Sequence, residues 1–488
     1  MKLDNRVQLI TYPDSLGGNL AALRQLLRTA FAGLFPGGIH ILPPYPSSGD
    51  RGFAPLDYGS IDPRFGTWAD IADIGAGHGV MLDVMVNHMS RRSPQFQDVL
   101  QNGRRSPYID MFLTLDKIWP DGRPVQSDID LMFLRRPVPY SVFTAGDGTE
   151  LKVWTTFGKT DPSEQIDLDV RSPLTRQYFR DIFERFREHG VNMVRLDAVG
   201  YVVKKPGTSC FFVEPEIWHF LDWIAEMADR IGIALLPEVH AHHAVQHKLA
   251  ARGFWIYDFI LPFMVLDAVT GRSTGMLRRY LQTRPHNQFT MLDCHDGIPV
   301  KPDLDGLVDP AHARRVVDLC VGRGANLSRV LSGSHQSPDG FDVHQIRCTY
   351  YDALGRDDDA YLAARAIQLF TPGIPQIYYV GLLAGENDEA AVRERGDGRE
   401  INRHNYALEE IEAAVRRPVV QRLMRLIRFR NECGAFDGTF RVPETGDREI
   451  RMQWEKDGLS CMLEVEMDTF RAVVHVSDRD GREERWVV

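Results

Sequence analysis

The chain has 488 residues, a length that fits one large barrel with insertions or two to three domains. Of these residues 43% are hydrophobic and 25% are charged, which is typical of a soluble globular protein. Its net charge of −10 argues against nucleic acid or an anionic membrane as the main partner. The six cysteines form no CxxC pair, so we expect neither a zinc site nor a disulfide framework. No apolar run approaches the ~20 residues of a membrane span, and the N-terminus lacks a signal-like apolar core, so we expect a cytoplasmic protein.

The first part of the chain alternates between predicted strands and predicted helices. Apolar residues follow strand or helix spacing in the segments 7–12, 20–35, 38–43, 68–78 and 80–86. This alternation predicts a parallel sheet. Residues 87–171 break it, because they are rich in Pro, Gly, Asp and Arg and too long for a plain loop. We therefore predict an inserted subdomain after the third strand.

The alternation resumes at a helix that begins at Ser172-Pro173. Further strands are predicted at 191–196, 233–237, 255–259, 289–293 and 374–380, and further helices at 214–231, 242–251, 264–282, 360–370 and 409–432. The eight strands fit a (β/α)8 barrel, an α/β fold, made of residues 1–86, 172–297 and 357–435. Residues 298–356 are predicted to be a second insertion, after strand 7, and residues 436–488 a C-terminal antiparallel β-domain.

Three apolar strands each deliver a carboxylate at the C-terminal end. These carboxylates are Asp197, which follows Arg195 by two residues, Glu238 and Asp296. Arg195 and Asp197 alone are compatible with a structural ion pair at a strand end. Three such carboxylates together indicate a barrel enzyme, because barrel active sites lie at the C-terminal ends of the strands.

Four segments resemble, in chain order, the signature regions of the α-amylase superfamily of glycoside hydrolases: 83–88, 191–199, 238–240 and 294–296. Within that superfamily the chain is most similar to the sucrose phosphorylase group. Phrases typical of that group occur along essentially the whole chain, at 7–12, 40–43, 196–201, 207–210, 292–298, 375–381, 400–404 and 435–440.

The resemblance implies a retaining glycosyltransferase with a division of labour among the three carboxylates. Asp197 would be the nucleophile that forms a glucosyl-enzyme, Glu238 the general acid and then base, and Asp296 the group that stabilises the distorted transition state. Retention requires one ionised carboxylate near the anomeric carbon and one protonated group near the leaving oxygen. Arg195 should keep Asp197 ionised.

The resemblance also implies a glucose subsite without a metal or other cofactor. His88 and His295 would bind glucose hydroxyls, although strand-end histidines can be ordinary core residues. Asp50 and Arg399 resemble an ion pair that closes the subsite, and the remaining lining residues would be Phe53, Phe157 and Gln165. Asn87 stands where many amylases bind calcium, but the phosphorylase group does not need that ion.

The acceptor side departs from the usual sequence of the group. His344 stands where sucrose phosphorylases have Tyr, between the retained Asp342 and Gln345. Arg135 matches a phosphate-binding Arg of the group and is followed by Arg136. Arg and His form charge-assisted bonds with phosphate oxygens, so these residues suit a second phosphate. Arg135 would hold inorganic phosphate, and Arg136, His344 and either Lys159 or Arg347 would hold the second phosphate. A solvated Arg loop and a tolerated surface His are the alternative interpretation.

The members of the group with this His are the sucrose 6'-phosphate phosphorylases. The resemblance therefore implies that sucrose 6'-phosphate and inorganic phosphate give α-D-glucose 1-phosphate and D-fructose 6-phosphate. Unphosphorylated sucrose and a glucosylglycerol or glucosylglycerate substrate are the alternatives. A hydrolase or transglucosylase would use the same carboxylates, and a non-catalytic transporter subunit would lack them. We expect small-molecule partners only, and a monomer or homodimer.

Overall fold

The computed structural model describes residues 3–158, 164–331, 336 and 340–488. Eight parallel strands form one nearly closed sheet in the order 6-7-8-1-2-3-4-5, which confirms the predicted (β/α)8 barrel. In chain order the strands are Gln8–Thr11, Gly38–Ile41, Val80–Met85, Met193–Asp197, Ala234–Pro237, Ile256–Asp258, Gln288–Thr290 and Ile374–Tyr378.

The barrel strands are almost wholly buried on both faces, as expected for parallel strands covered by helices. The first helix shows how the helices cover them. Leu20–Arg28 buries Leu20, Leu23, Leu26 and Leu27 on one face, and Asn19 caps it by accepting a hydrogen bond from the amide of Ala22 at 2.9 Å. The other helices that follow barrel strands directly or after an insertion include Trp68–Gly75, Pro173–Glu188, Glu216–Ile231, His243–Ala251, Leu261–Gly271, Gly275–Thr283 and Asp358–Phe370.

Two of the predicted helices are each divided in two. The helix predicted at 264–282 is interrupted after Leu261–Gly271, because Arg272 adopts a left-handed conformation with φ of 51°. The helix predicted at 409–432 consists of Leu408–Ala414 and Pro418–Glu432. Pro418 occupies the first turn of the second helix, where its missing N–H costs nothing. Both single-helix predictions are therefore wrong at these breaks.

Residues 87–171 and 298–356, which we propose to be inserted subdomains, contain small antiparallel sheets and short helices. Between residues 87 and 171, His88–Ser90 pairs with Gln165–Asp167, and Tyr140–Thr144 pairs with Glu150–Trp154. The helices there are Pro94–Asn102 and Gln126–Leu131. Between residues 298 and 356, Ile298–Pro299, Asn326–Arg329 and Val343–Arg347 form one sheet, accompanied by the helices Pro310–Gly322 and Tyr350–Ala353.

The C-terminal region forms a five-stranded antiparallel sheet. Its strands are Thr439–Arg441, Glu449–Lys456, Leu459–Glu466, Arg471–Ser477 and Glu483–Val487. Side chains along Glu449–Lys456 alternate, with Ile450, Met452 and Trp454 buried. Trp454 donates a hydrogen bond from Nε1 to the carbonyl of Phe370 at 2.7 Å, which ties the sheet to the end of the helix Asp358–Phe370. Two further helices in the described part of the chain, Tyr379–Leu382 and Glu389–Arg395, follow the eighth barrel strand.

The chain divides into two compact units. The first contains Ile41–Val239 and Val330–Asp342, and therefore Asp197 and Glu238. The second contains the segment up to His40 together with His240–Arg329 and Val343–Val488, and therefore Asp296 and the C-terminal sheet. Among the described helices, none is both long enough and apolar enough to cross a membrane.

Candidate active site

A buried guanidinium stands at the centre of the carboxylates in the first unit. Arg195 donates from Nη1 to Asp83 and to Oδ1 of Asp197, the latter at 2.9 Å, and its Nη2 lies 3.3 Å from Oε1 of Glu238. Arg195 and Asp197 share one face of the fourth barrel strand because they are two residues apart. The structure thus brings together Asp197, Glu238 and Arg195, as predicted, and adds Asp83 to them.

The charges in this cluster do not balance, because one guanidinium faces three carboxylates. Burial raises the pKa of Asp197; Arg195 opposes this effect, and the charges of Glu238 and Asp83 add to it. The 2.9 Å hydrogen bond from Arg195 favours the charge on Asp197. One ionised and one protonated carboxyl group is the state that a retaining mechanism requires.

Ala198, the residue after Asp197, fixes the position of Glu238. Its amide donates to Oε2 of Glu238 at 2.9 Å. Ala198 adopts a left-handed backbone conformation with φ of 53°, which a residue with a Cβ rarely takes. The strained turn therefore directs this amide towards the carboxyl group of Glu238.

Four further predicted residues of the first unit lie against this cluster. The carbonyl of Phe53 accepts hydrogen bonds from Nε2 of His88 at 3.0 Å and from Gln165 at 3.1 Å. The ring of Phe157 lies 5.4 Å from that of His88, and the guanidinium of Arg195 lies 5.7 Å from the ring of Phe53. The structure thus groups Phe53, His88, Phe157 and Gln165 beside Arg195.

The neutral form of His88 is favoured, and its tautomer is defined. Burial lowers its pKa, while the charges of Asp167 and Asp50 act in the opposite direction. The side-chain amide of Asn87 donates to Nδ1 of His88 at 3.4 Å, so Nε2 carries the proton that Phe53 accepts. Asp50 begins a short turn in which its own φ is 50°, a left-handed conformation that holds this loop close to His88.

The two arginines predicted to bind phosphate have different environments. Arg136 donates from Nη1 to Oε1 of the buried Glu164 at 2.7 Å and to Oγ1 of Thr155 at 3.0 Å, so its charge is compensated within the protein. Arg135 is half-buried two residues after Phe133, whose cluster includes Ala198 and Tyr201. This places the Arg135 loop next to the strand end that carries Asp197. Lys159 lies outside the described residues.

Asp296 is the centre of a group of residues in the second unit. The side-chain amide of Asn402 donates to the carbonyls of Cys294 and Asp296, each at 3.0 Å, and Arg403 donates from Nε to the carbonyl of His295 at 2.8 Å. These bonds fix the backbone that follows the seventh barrel strand. The carboxylate is 3.7 Å from both His295 and Arg403 and 3.9 Å from Arg399.

The cations around Asp296 hold it in its ionised form. Burial alone would raise its pKa, but His295, Arg399, Arg403 and His240 together bring it well below its usual range. A permanent negative charge suits a group that binds sugar hydroxyls and faces a developing positive charge. Arg399 also contacts Asp397 at 2.9 Å. The predicted pairing of Arg399 with Asp50 remains a prediction.

The predicted acceptor-side residues occur in both units. In the first unit, the carbonyl of Asp342 accepts a hydrogen bond from the amide of Val330 at 2.8 Å. In the second, His344 and Gln345 lie on Val343–Arg347, and Nδ1 of His344 donates to the carbonyl of Lys301 at 2.6 Å. Because Nδ1 is used in this way, Nε2 is the other polar atom of the His344 ring. The half-buried Arg347 has a lowered pKa, caused by burial and by the charge of Arg399.

Sequence reasoning missed several residues of these groups. Asp83 lies within a segment that carries the family resemblance, and a carboxylate inside a buried strand was a usable signal. Arg403 lies within another such segment. No local pattern identifies Lys204 or Asp303, which are buried polar residues in irregular segments.

Lys204 occupies an oxygen cage of the kind that cations prefer. Its ammonium donates to Oδ1 of Asn87 at 2.9 Å and to the carbonyl of Tyr201, and it lies 2.8 Å from Oδ2 of Asp167. The cage includes Asn87, the residue that stands where many amylases bind calcium. Because an ammonium group fills the cage, we expect the fold to need no metal there.

Replacing Lys204 with Met should therefore destabilise the protein markedly. The change leaves the carboxylate of Asp167 buried without its cation, a loss that typically costs about 3–5 kcal/mol. The free energy of unfolding in urea measures it. Lys205→Met is the matched control, because Lys205 pairs with the exposed side chain of Glu216 and its loss should change stability little. Equal stability of the two variants would contradict the role of Lys204.

Comparison with known proteins identifies close relatives. The family description "Alpha amylase, catalytic domain" matches residues 33–249. A protein named sucrose 6(F)-phosphate phosphorylase from Thermoanaerobacterium thermosaccharolyticum is 61% identical, with 100% of each chain covered. A sucrose phosphorylase from Streptococcus mutans is 41% identical, with 98% of this chain and 99% of the relative covered. The crystal structure of sucrose 6F-phosphate phosphorylase from Thermoanaerobacter thermosaccharolyticum has a TM-score of 0.98 at 60% identity, and covers 100% of this chain and 99% of that chain.

Proposed function

This chain belongs to the sucrose phosphorylase group of the α-amylase family, and from that premise we propose that it transfers the glucosyl group of sucrose 6'-phosphate to inorganic phosphate. The products are α-D-glucose 1-phosphate and D-fructose 6-phosphate. The observation that carries this proposal is the 61% identity, over the whole chain, to a relative that bears the name of this activity. The carboxylate cluster around Arg195 supplies the chemistry that such a transfer needs.

In the first step, Asp197 attacks the anomeric carbon of the glucosyl unit. The bond from that carbon to the fructosyl oxygen breaks, and Glu238 gives its proton to the departing oxygen of fructose 6-phosphate. A covalent glucosyl-enzyme ester remains on Asp197 with inverted configuration. Two 2.9 Å contacts support this assignment. The guanidinium of Arg195 favours the ionised form of Asp197, and the amide of Ala198 fixes the position of the carboxyl group of Glu238.

In the second step, inorganic phosphate takes the place of fructose 6-phosphate. A phosphate oxygen attacks the anomeric carbon, the ester bond to Asp197 breaks, and Glu238 takes up the proton of the attacking oxygen. Two inversions restore the α configuration. Asp296, held ionised by the cations beside it, would bind sugar hydroxyls and stabilise the positive charge that develops in both transition states. His88, His295, Phe53, Phe157 and Gln165 would hold the glucosyl ring.

The 6'-phosphate would be bound on the acceptor side by His344 and Arg135. His344 contributes Nε2, because its Nδ1 donates to the carbonyl of Lys301. Arg135 offers a guanidinium for phosphate oxygens. Arg136 would act indirectly, since its bond to Glu164 anchors the loop that carries Arg135. Asp342 and Gln345 would contact the fructosyl hydroxyls, and Arg347 is a further cation on the strand of His344.

Unphosphorylated sucrose is the second candidate donor, because a sucrose phosphorylase is 41% identical over nearly the whole chain. The residue at position 344 distinguishes the two, since the sucrose-specific enzymes of the group have Tyr there. A neutral phenol cannot provide the charge-assisted hydrogen bond that an imidazolium gives to a phosphate.

Replacing His344 with Tyr should therefore shift the preference between the two donors. We expect kcat/KM for sucrose 6'-phosphate to fall by about 10-fold or more, because a charge-assisted hydrogen bond is lost. The value for sucrose should stay the same or rise. Release of glucose 1-phosphate from each donor gives the measurement, and His219→Tyr, on the exposed face of a helix, is the control. An unchanged preference in His344→Tyr would contradict the assignment.

We also propose that the protein works in the cytoplasm. All six cysteines are free thiols and buried, as is usual in a reducing compartment. The net charge of −10 supports the expectation that nucleic acid is not a partner. A monomer and a homodimer both remain compatible with this function.

A further inference from the structure

Two buried thiols that the proposed reaction does not use lie where the helix Pro418–Glu432 meets the C-terminal sheet. Cys433 is the residue that follows this helix, and Cys461 lies on the strand Leu459–Glu466. Both are free thiols, and Cys461 donates a hydrogen bond from its thiol to the sulfur of Cys433. The two sulfur atoms are therefore neighbours, which is the arrangement from which a disulfide can form.

The packing of both segments keeps the two thiols together. Cys461 pairs with Trp454 on the adjacent strand, and the ring of Trp454 lies 5.7 Å from that of Phe436. The amide of Phe436 donates to the carbonyl of Cys433 at 3.4 Å. The strand and the turn after the helix are thus held in contact by the rings beside the two cysteines, independently of the thiols themselves.

The surroundings of Cys433 favour its thiolate form. Arg430 is fully buried, and in the described part of the chain its guanidinium donates only to neutral oxygens, such as Oδ1 of Asn5 at 2.6 Å. A buried cation is costly unless a negative charge lies nearby. The hydrogen bond from Cys461 makes the largest contribution to the lowered pKa of Cys433. The amide of Ala435 and the charge of Arg430 lower it further, against the effect of burial.

Cys433 is also the thiol that a small oxidant can reach. It keeps an exposed fraction of 9%, whereas the exposed fraction of Cys461 is 0%. The next residue, Gly434, lines an open surface cavity of about 490 Å³ together with Leu459. A small uncharged molecule in this cavity thus approaches Cys433 before it can approach Cys461.

We propose that Cys433 and Cys461 form a reversible redox pair, in which a hydroperoxide oxidises Cys433 and Cys461 converts the product to a disulfide. The thiolate sulfur of Cys433 attacks one peroxide oxygen, the O–O bond breaks, and a sulfenic acid and a hydroxide ion form. The sulfur of Cys461 then attacks the sulfenic sulfur. The S–O bond breaks, and the thiol proton leaves with the hydroxyl group as water.

The two sulfur atoms together lose two electrons in this sequence, and the peroxide gains them. The resulting bond joins the end of the helix Pro418–Glu432 covalently to the C-terminal sheet. A dithiol such as dithiothreitol reverses it by thiol–disulfide exchange and restores both thiols.

A second pair of thiols in the same unit provides a comparison. Cys320 and Cys348 are also hydrogen-bonded to each other, and Cys320 is the one whose pKa this bond lowers. The exposed fraction of Cys320 is 0%, however, so its sulfur is closed to an oxidant in solution. Because the more reactive thiol is the inaccessible one, we expect this pair to be oxidised more slowly than Cys433 and Cys461.

The test treats the reduced full-length protein with hydrogen peroxide, blocks the remaining thiols and maps linked peptides by mass spectrometry. We expect a Cys433–Cys461 disulfide that dithiothreitol removes and that forms at least about 10-fold faster than a Cys320–Cys348 disulfide. As the pH is raised, its rate of formation should level off at a lower pH than that of free cysteine, whose pKa is about 8.5.

Three variants assign the roles of the two thiols. Cys461→Ala lacks the second thiol, so peroxide should leave a sulfenic acid on Cys433, which dimedone traps. Cys433→Ala should give neither the disulfide nor a trapped product on Cys461. Cys210→Ala removes a buried thiol of the first unit and is the matched control, which should form the disulfide as the wild type does. The wild-type peptide map decides the proposal even if one of these variants does not fold.

Three results would overturn the inference. The first is the absence of a Cys433–Cys461 disulfide under conditions that oxidise free cysteine. The second is a Cys320–Cys348 disulfide that forms as fast, because the accessibility of Cys433 would then have no effect. The third is a sulfenic acid that dimedone traps on Cys461 in Cys433→Ala as readily as on Cys433 in Cys461→Ala.

Discussion

Asp197→Asn should abolish turnover, with a loss of at least about 10,000-fold in kcat for release of glucose 1-phosphate. An amide cannot form the glucosyl ester, and the double displacement has no other nucleophile. The change should leave the protein folded and as stable as the wild type or more so. Burial and the charges of Glu238 and Asp83 raise the pKa of Asp197, so its ionised form is less favourable in the folded protein than in the unfolded chain.

Both the turnover and the stability of Asp197→Asn must be measured to interpret the variant. Steady-state release of fructose 6-phosphate gives the loss of activity, and thermal unfolding at neutral pH gives the stability. Asp110→Asn is the matched control, because that carboxylate is exposed within the same unit. Residual turnover within 100-fold of the wild type in a folded Asp197→Asn would show that another group is the nucleophile.

Glu238→Gln should produce the second largest loss, and one that depends on the leaving group. General acid catalysis contributes about 100- to 10,000-fold, so kcat on sucrose 6'-phosphate should fall within that range. α-Glucosyl fluoride needs no proton for the departure of fluoride. Its reaction with the variant, followed as fluoride release in a single turnover, should therefore be nearly as fast as with the wild type.

Asp197→Asn gives the contrast for this measurement. It should fail with both donors, because the fluoride donor still needs a nucleophile. In addition, Glu238→Gln should lose the alkaline limb of the pH profile of kcat/KM, because that limb reports the proton of the general acid. Equal losses on both donors in Glu238→Gln would rule out the assignment of Glu238 as the acid.

The barrel and its main carboxylates could be predicted because they follow from local rules. Apolar strands at a regular interval predict the sheet, and active-site groups lie at strand C-termini. Asp197 and Glu238 satisfy both rules, and the structure places them around Arg195. Asp83 lies in the middle of a strand, so the strand-end rule does not reach it.

Other parts of the site depend on contacts between distant segments. Arg135 and Arg136 look equivalent in sequence, but the pairing of Arg136 with Glu164, 28 residues further along, is visible only in the structure. Lys204 lies in an irregular segment, and its cage needs Asn87, 117 residues earlier. The contact between Asp303 and Nδ1 of His240, at 3.7 Å, likewise joins two segments that are far apart in the sequence. No periodic pattern in the sequence records such pairs.

The two helix breaks occur where the apolar periodicity of the sequence continues without interruption. Apolar periodicity continues through residues 409–432, but Pro418 cannot donate a backbone hydrogen bond and begins a new helix. Helical spacing also continues through 264–282, where the turn at Arg272 carries neither Gly nor Pro at the left-handed position itself. The first break was predictable from residue type, and the second depends on the packing of the two helices.

The most direct test of the central claim is the product of the wild-type enzyme from sucrose 6'-phosphate and inorganic phosphate, followed by NMR with sucrose as the parallel donor. We predict α-D-glucose 1-phosphate and fructose 6-phosphate in equal amounts, with a higher kcat/KM for sucrose 6'-phosphate than for sucrose. The β anomer would contradict the double displacement. Free glucose as the main product would contradict phosphorolysis, and a higher kcat/KM for sucrose would contradict the phosphorylated donor.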